Sequence, residues 1–134
     1  MKRRKQAALL YDSDCCFCRW ATAKILAWDR RGRIRPVRLQ DREAHRLLPR
    51  MNEEARMASW HLVTPDGDVR SAGAAAEPLF RLLPGGRPLA ALASAFPRTT
   101  ERAYRWVANN RDRLVRRLGE QACASDPETV RARR

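Results

Sequence analysis

The spacing of apolar and polar positions divides the chain into short elements. Ala7–Tyr11 is an apolar run bounded by polar residues, the pattern of a buried strand. Asp12-Ser13-Asp14 then offers helix-capping side chains, and a mostly apolar segment follows to about Arg30. Phe17, Trp20, Ala21, Ala23, Ile25, Leu26, Ala27 and Trp28 cover much of its circumference, leaving Arg19, Thr22 and Asp29 as a narrow polar strip. Such a helix is expected to be largely covered by the rest of the domain. Gly32 closes it. Ile34–Leu39 alternates apolar and basic residues and predicts a second strand, although Pro36 weakens the pattern. Asp41 is placed to cap a short helix running to about Leu48, and Asn52-Glu53-Glu54 starts another, with acids where the helix dipole favours them.

Trp60–Thr64, Pro65-Asp66-Gly67 and Asp68–Ser71 read as strand, turn and strand, the clearest hairpin in the chain. Helices are expected over Gly73–Leu83, despite Pro78, and over Pro88–Phe96, which Pro97 ends. A last long helix, Glu101–Leu118, is capped by Thr99 or Thr100 and carries Ala103, Val107, Leu114 and Leu118 as its apolar stripe. The order strand–helix–strand–helix, hairpin, helices implies one parallel and one antiparallel pairing. The expected fold is therefore α/β: a four-stranded mixed sheet flanked by helices, with an extra C-terminal helix. A thioredoxin-like fold has this order. The 134 residues fit one domain (1–134): a basic arm at 1–6, a core at 7–118 and a loose C-terminal tail at 119–134.

Composition narrows the class. Hydrophobic residues make up 44% and charged residues 32%, a globular balance. The net charge of +13 would suit an acidic partner. However, the basic residues are nearly all arginine, are spread along the chain and lack interleaved aromatics, so nucleic acid is not the expected partner. No run of about 20 apolar residues predicts a membrane span. The apolar stretch after the basic start ends at Tyr11, too short for a signal-peptide core. A cytoplasmic protein is expected.

Of four cysteines, Cys15, Cys16 and Cys18 crowd into four positions and Cys123 lies far away. A secreted disulfide framework would scatter them. Cys15 and Cys18 stand two residues apart at a strand–helix junction. There, unpaired backbone N–H groups and the helix dipole favour a thiolate, and a thiol one turn on can resolve a mixed disulfide. The expected roles are Cys15 as the exposed nucleophile and Cys18 as the more buried resolving thiol. Asp12 and Asp14 pull against thiolate formation. Asp12 could take a proton from Cys18, or either acid could simply cap the helix. Cys16 is open between a buried side chain and a third exchanging thiol. His61 could face the cysteines or point outward. The four tryptophans read as core. Zinc is the competing use of the cysteines, but Cys123, His45 and His61 form no ligand pair, so no metal is expected.

Leu9-Leu10-Tyr11-Asp12-Ser13-Asp14-Cys15-Cys16-Phe17-Cys18 resembles the opening of the DCC family of thiol-disulfide oxidoreductases: an apolar strand, a Tyr/Phe-Asp-Gly-x-Cys-x-x-Cys turn and a helix. Ser59-Trp60-His61-Leu62-Val63, Asp66-Gly67, Leu82-Leu83-Pro84-Gly85-Gly86 and Tyr104-Arg105-Trp106-Val107-Ala108-Asn109-Asn110-Arg111 resemble later family landmarks in the same order. The likeness extends from about residue 7 to residue 118. It implies a thioredoxin-like fold, Cys15 and Cys18 as the redox pair and Asp12 as the motif's acid. Ser13 stands where the family usually has glycine. No proline immediately precedes the Trp60 strand, where thioredoxins proper carry one beside the active cysteine. The expected function is reduction or exchange of disulfides in a protein or small-molecule thiol partner, with no bound organic cofactor. The other class to weigh is a non-catalytic interaction domain on the same fold, its cysteines structural or metal-binding.

Overall fold

The computed structural model describes residues 6–132. The basic arm expected over 1–6 lies, except for Gln6, outside the described residues. β1 (Ala7–Tyr11) is buried along its whole length, and it is central in a four-stranded sheet of order β2-β1-β3-β4. A strand covered on both faces has no polar side, which is why its sequence does not alternate. β2 (Ile34–Arg38) pairs parallel with β1, and Pro36 sits opposite Leu9. Proline is tolerated there because β2 is an edge strand and needs no donor on its outer side. β3 (His61–Val63) runs antiparallel to β1, and β4 (Val69–Ser71) completes the predicted hairpin.

Strand alternation sorts the core into two layers. Ala7, Leu9 and Leu62 face one side with Leu26, Leu79 and Leu83. Ala8, Leu10 and Val63 face the other with Val37, Ala44 and Leu48. The first layer is covered by α1 (Cys16–Trp28) and by α4 (Ala76–Leu82), the second by α2 (Arg42–Leu47). α3 (Glu53–Met57) is capped by Asn52, whose Oδ1 accepts the Ala55 amide at 2.8 Å. This is a thioredoxin-like α/β arrangement, with additional helices at its C-terminal end.

Several boundaries differ from expectation, each for a local reason. Thr22 and Asp29, read as part of a polar strip, are both buried. Asp29 takes the amides of Arg33 at 3.1 Å and Ile34 at 2.9 Å, so its carboxylate ties the end of α1 to the start of β2. The segment Ala72–Leu82 begins as a 3-10 turn, Ala72–Ala75, before α4. Pro78 is harmless because it falls in the first turn of α4, where no amide partner is missed. α5 (Arg87–Ala95) is followed directly by α6 (Pro97–Asn109). Pro97 thus ends one helix and opens the next, since a first helical residue needs no N–H, and the expected threonine cap is not used. Thr100 instead donates its hydroxyl to Phe96 O at 2.8 Å.

The predicted single helix Glu101–Leu118 is broken at Asn110. That residue's side chain donates to Trp106 O at 2.7 Å, competing for a helical carbonyl, and α7 (Arg111–Leu118) starts after it as a separate helix. The tail, as far as Ala132, is not loose. α8 (Glu120–Ala124) and α9 (Pro127–Ala132) pack on α1, with Ala122 and Pro127 fully buried and Val130 against the core. Helices of one or two turns show too few positions to reveal a period. Among the tryptophans, Trp106 is 60% exposed, so the reading of all four as core fails there.

Candidate functional site

The Asp12–Cys15 turn is built from the inside. The Cys15 amide donates to Asp12 O at 3.3 Å, and the Asp14 amide donates to Asp12 Oδ1 at 2.9 Å. From the loop after β2, Gln40 Nε2 donates to Asp12 Oδ1 at 2.7 Å, while Gln40 Oε1 accepts both the Ser13 hydroxyl, at 2.8 Å, and the Ser13 amide. Ser13 does not occupy the left-handed region, so the turn does not need glycine at that position. Its hydroxyl adds a bond that glycine could not make.

This bonding leaves the helix cap to a thiol. Cys15, not Asp12 or Asp14, is the residue before α1, and its Sγ accepts the Cys18 amide at 3.3 Å. Asp12 is engaged by Gln40, and Asp14 is exposed with Gln40 Nε2 at 3.4 Å from its Oδ2. Cys15 and Cys18 are both free thiols and half-buried. The start of α7 brings a cation to them: Arg111 Nη1 lies 3.9 Å from Cys15 Sγ and 3.7 Å from Cys18 Sγ.

These contacts divide the two thiols electrostatically. Cys15 is brought down to about 6 by the Cys18 thiol donating to it, then by the Cys18 amide and the Arg111 charge, against burial and the Asp12 carboxylate. Cys18 is pushed up, first because its thiol donates to Cys15 and second because it is buried. One proton is therefore held on Cys18 while Cys15 carries the charge. The thiolate is the form that attacks a disulfide.

The remaining candidates go elsewhere. Cys16 is joined to Cys123 of α8 by a disulfide, across a separation of 107 residues, so it is neither a buried free thiol nor a third exchanging one. His61 pairs with Leu10 and shares the sheet face of Val63, opposite the layer of Leu9 and Leu62. Its ring bonds Ser71 Oγ at 2.6 Å and Arg56 O at 2.9 Å, and burial lowers its pKa. It neither faces the cysteines nor points outward. Among the described residues, no group of three or more His, Cys, Asp or Glu is placed to hold a metal ion.

A cavity of about 460 Å³ opens beside Cys18, between α1 and α6 and over Leu79 of α4. Its wall near the thiols includes Trp60, stacked on Tyr104 with ring centroids 6.0 Å apart and planes 16° apart. The Trp60 indole donates to Ala72 O at 2.9 Å and its amide to the Tyr104 hydroxyl at 3.4 Å. α6 is drawn close by Gly73, whose amide donates to Glu101 Oε2 at 3.0 Å. A Cβ at this glycine would come within 2.8 Å of Glu101 Cα.

Sequence reasoning missed Arg111, Gln40 and Tyr104 as parts of this site. Tyr104 and Arg111 lay inside a recognised stretch, and the Asn109-Asn110 pair just before Arg111 was a break signal that the amphipathic stripe concealed. Among the described residues, no helix is long and apolar enough to cross a membrane.

Neither the curated proteins nor the solved structures include a match to this chain. The family model described as DCC1-like thiol-disulfide oxidoreductase matches residues 9–117, a span that holds the Asp12–Cys18 turn, the hairpin and Arg111. By that match over most of its length, the chain belongs to the DCC1-like thiol-disulfide oxidoreductase family.

Proposed function

We propose that Cys15 and Cys18 cycle between dithiol and disulfide to reduce or exchange a partner's disulfide. The observation that carries this reading is the split between the two thiols: Cys15 charged at about 6 under the Cys18 and Arg111 contacts, Cys18 held protonated one helical turn away. In the forward direction the Cys15 thiolate attacks one sulfur of a disulfide, whose S–S bond breaks and releases a first thiolate. Cys18 gives up its proton to that leaving group and attacks Cys15 Sγ. The mixed disulfide opens, the second thiolate takes a proton from water, and Cys15–Cys18 is left as a disulfide. Two electrons pass from the protein to the partner.

The test is a redox titration with thiol trapping and mass spectrometry at each potential. One two-electron transition mapping to Cys15–Cys18, separate from that of Cys16–Cys123, is expected. Absence of a Cys15–Cys18 disulfide at every potential refutes the reading. Cys15→Ser separates it from a non-catalytic interaction domain, because it removes turnover and leaves a binding surface intact.

For the compartment, the proposal remains cytoplasmic, and it carries its own check. A reducing compartment would hold Cys16 and Cys123 largely as thiols, so rapid alkylation in intact cells should find them modified. A bridge that survives this trapping places the protein in an oxidising compartment instead.

A further inference from the structure

The apolar cavity beside Cys18 plays no part in the exchange steps above, yet one of the two thiols is in its wall. Its volume of about 460 Å³ falls in the range of pockets that enclose small organic molecules, roughly 300–1,000 Å³. Phe17, Trp20 and Ile25 of α1 face Leu79, Phe80 and Val107 across it. The charged residues among its lining are Asp12, Lys24 and Arg111, and of these Asp12 and Arg111 belong to the thiol end. A mostly apolar cavity with a thiol, a carboxylate and a guanidinium at one end selects a molecule of the same build.

We propose that this cavity is the substrate subsite, and that it takes the bulky apolar arm of a small organic disulfide whose S–S bond lies at Cys15 and Cys18. The inference rests on the exchange reading and adds the substrate class to it. The apolar arm displaces water from Trp20, Phe80 and Val107 as it enters, and this burial favours binding in proportion to apolar area. The S–S bond is thereby held at the mouth, under Arg111, where the thiolate that leaves after attack by Cys15 meets a positive charge. A hydrophilic disulfide reaches the same thiols without this anchoring.

The test compares two disulfides of matched sulfur chemistry with the pre-reduced protein, each rate corrected for the reaction with dithiothreitol alone. One is bis(2-hydroxyethyl) disulfide; the other is the mixed disulfide of 2-mercaptoethanol and 4-phenylbutanethiol. The expected result is a kcat/KM at least tenfold higher for the phenylbutyl compound. Ala76→Phe, which puts a ring into the cavity, should pull that ratio to within about threefold of one. Ala103→Trp, at the exposed rim on α6, is the second variant should the first fail to fold. Equal rates for the two disulfides in the wild-type protein overturn the subsite while leaving the exchange reading standing. Insulin reduced faster than the phenylbutyl compound assigns the cavity to protein chains and overturns the proposal. If neither small disulfide is reduced, the exchange reading falls and the subsite with it.

Discussion

Cutting the Cys16–Cys123 bridge with the double variant Cys16→Ser/Cys123→Ser should cost this protein stability mainly through its unfolded state. The bridge closes a loop spanning 107 residues. In the chain-entropy description, such a closure removes about 16 cal/mol/K from the unfolded ensemble, or about 4.8 kcal/mol at 25 °C. Measured bridges often yield less, so a loss of about 3–5 kcal/mol is expected. The folded state changes little, because α8 and α9 keep Ala122, Pro127 and Val130 packed on α1 and the sheet. The assay is urea unfolding of the oxidised wild type and the double variant. For 134 residues, an unfolding entropy of about 280 cal/mol/K turns that loss into a fall in Tm of about 10–18 °C. The m-value should rise as well, since the released unfolded chain exposes more surface. Each single serine variant should lose as much as the double, because either one opens the same loop. A loss below about 1 kcal/mol with an unchanged m-value would refute the entropic argument.

Four further outcomes follow from the described contacts. Alkylation of Cys15 by iodoacetamide should rise with pH through about 6 in the dithiol protein, and Arg111→Gln should move the rise to higher pH and slow alkylation at pH 6 by about threefold or more. Because the folded pKa of Cys15 lies below its ordinary value of 9.0, its ionisation stabilises the fold fully above pH 9 and not at all once pH falls through about 6. The stability gap between wild type and Cys15→Ser should therefore widen from pH 5 to pH 9, and a gap that narrows contradicts the assignment. Asp29→Ala strips two backbone amides of their acceptor at the α1–β2 junction and should cost about 2–4 kcal/mol in chemical denaturation. Ala72 holds φ +53 at the start of the 3-10 turn, so Ala72→Gly should stabilise by about 0.5–1 kcal/mol; destabilisation would show that its methyl packing outweighs the backbone cost.

The sheet was legible because its signals are local. Ala7–Tyr11 is apolar without interruption, and Pro65-Asp66-Gly67 separates two short strands with residues suited to a tight turn. The thiol turn was legible for the same reason: Cys15 and Cys18 are one helical turn apart, so spacing alone places them together. What escaped depends on distant registration. Nothing near residue 16 announces Cys123, and nothing near Cys18 announces a guanidinium 93 residues away. Arg111, which reaches the thiols, opens the helix that follows the break at Asn110, and the apolar stripe through Val107 and Leu114 runs across that break as if it were absent. Asp12 was legible as a neighbour of the thiols. Its bond from Gln40, which leaves the cap to Cys15, depends on the loop after β2 folding back.

The origin of these distant contributions bears on timing. In order of synthesis the thiol turn comes before every distant group that acts on it. The cation over it, the α6 wall of the cavity and the sulfur that binds Cys16 come from the successive helices α6, α7 and α8. A chain made only as far as the hairpin would thus carry the two thiols with neither the guanidinium beside them nor the α6 wall of the cavity. The share of the thiol split that Arg111 supplies is thus present only once α7 has docked over the turn.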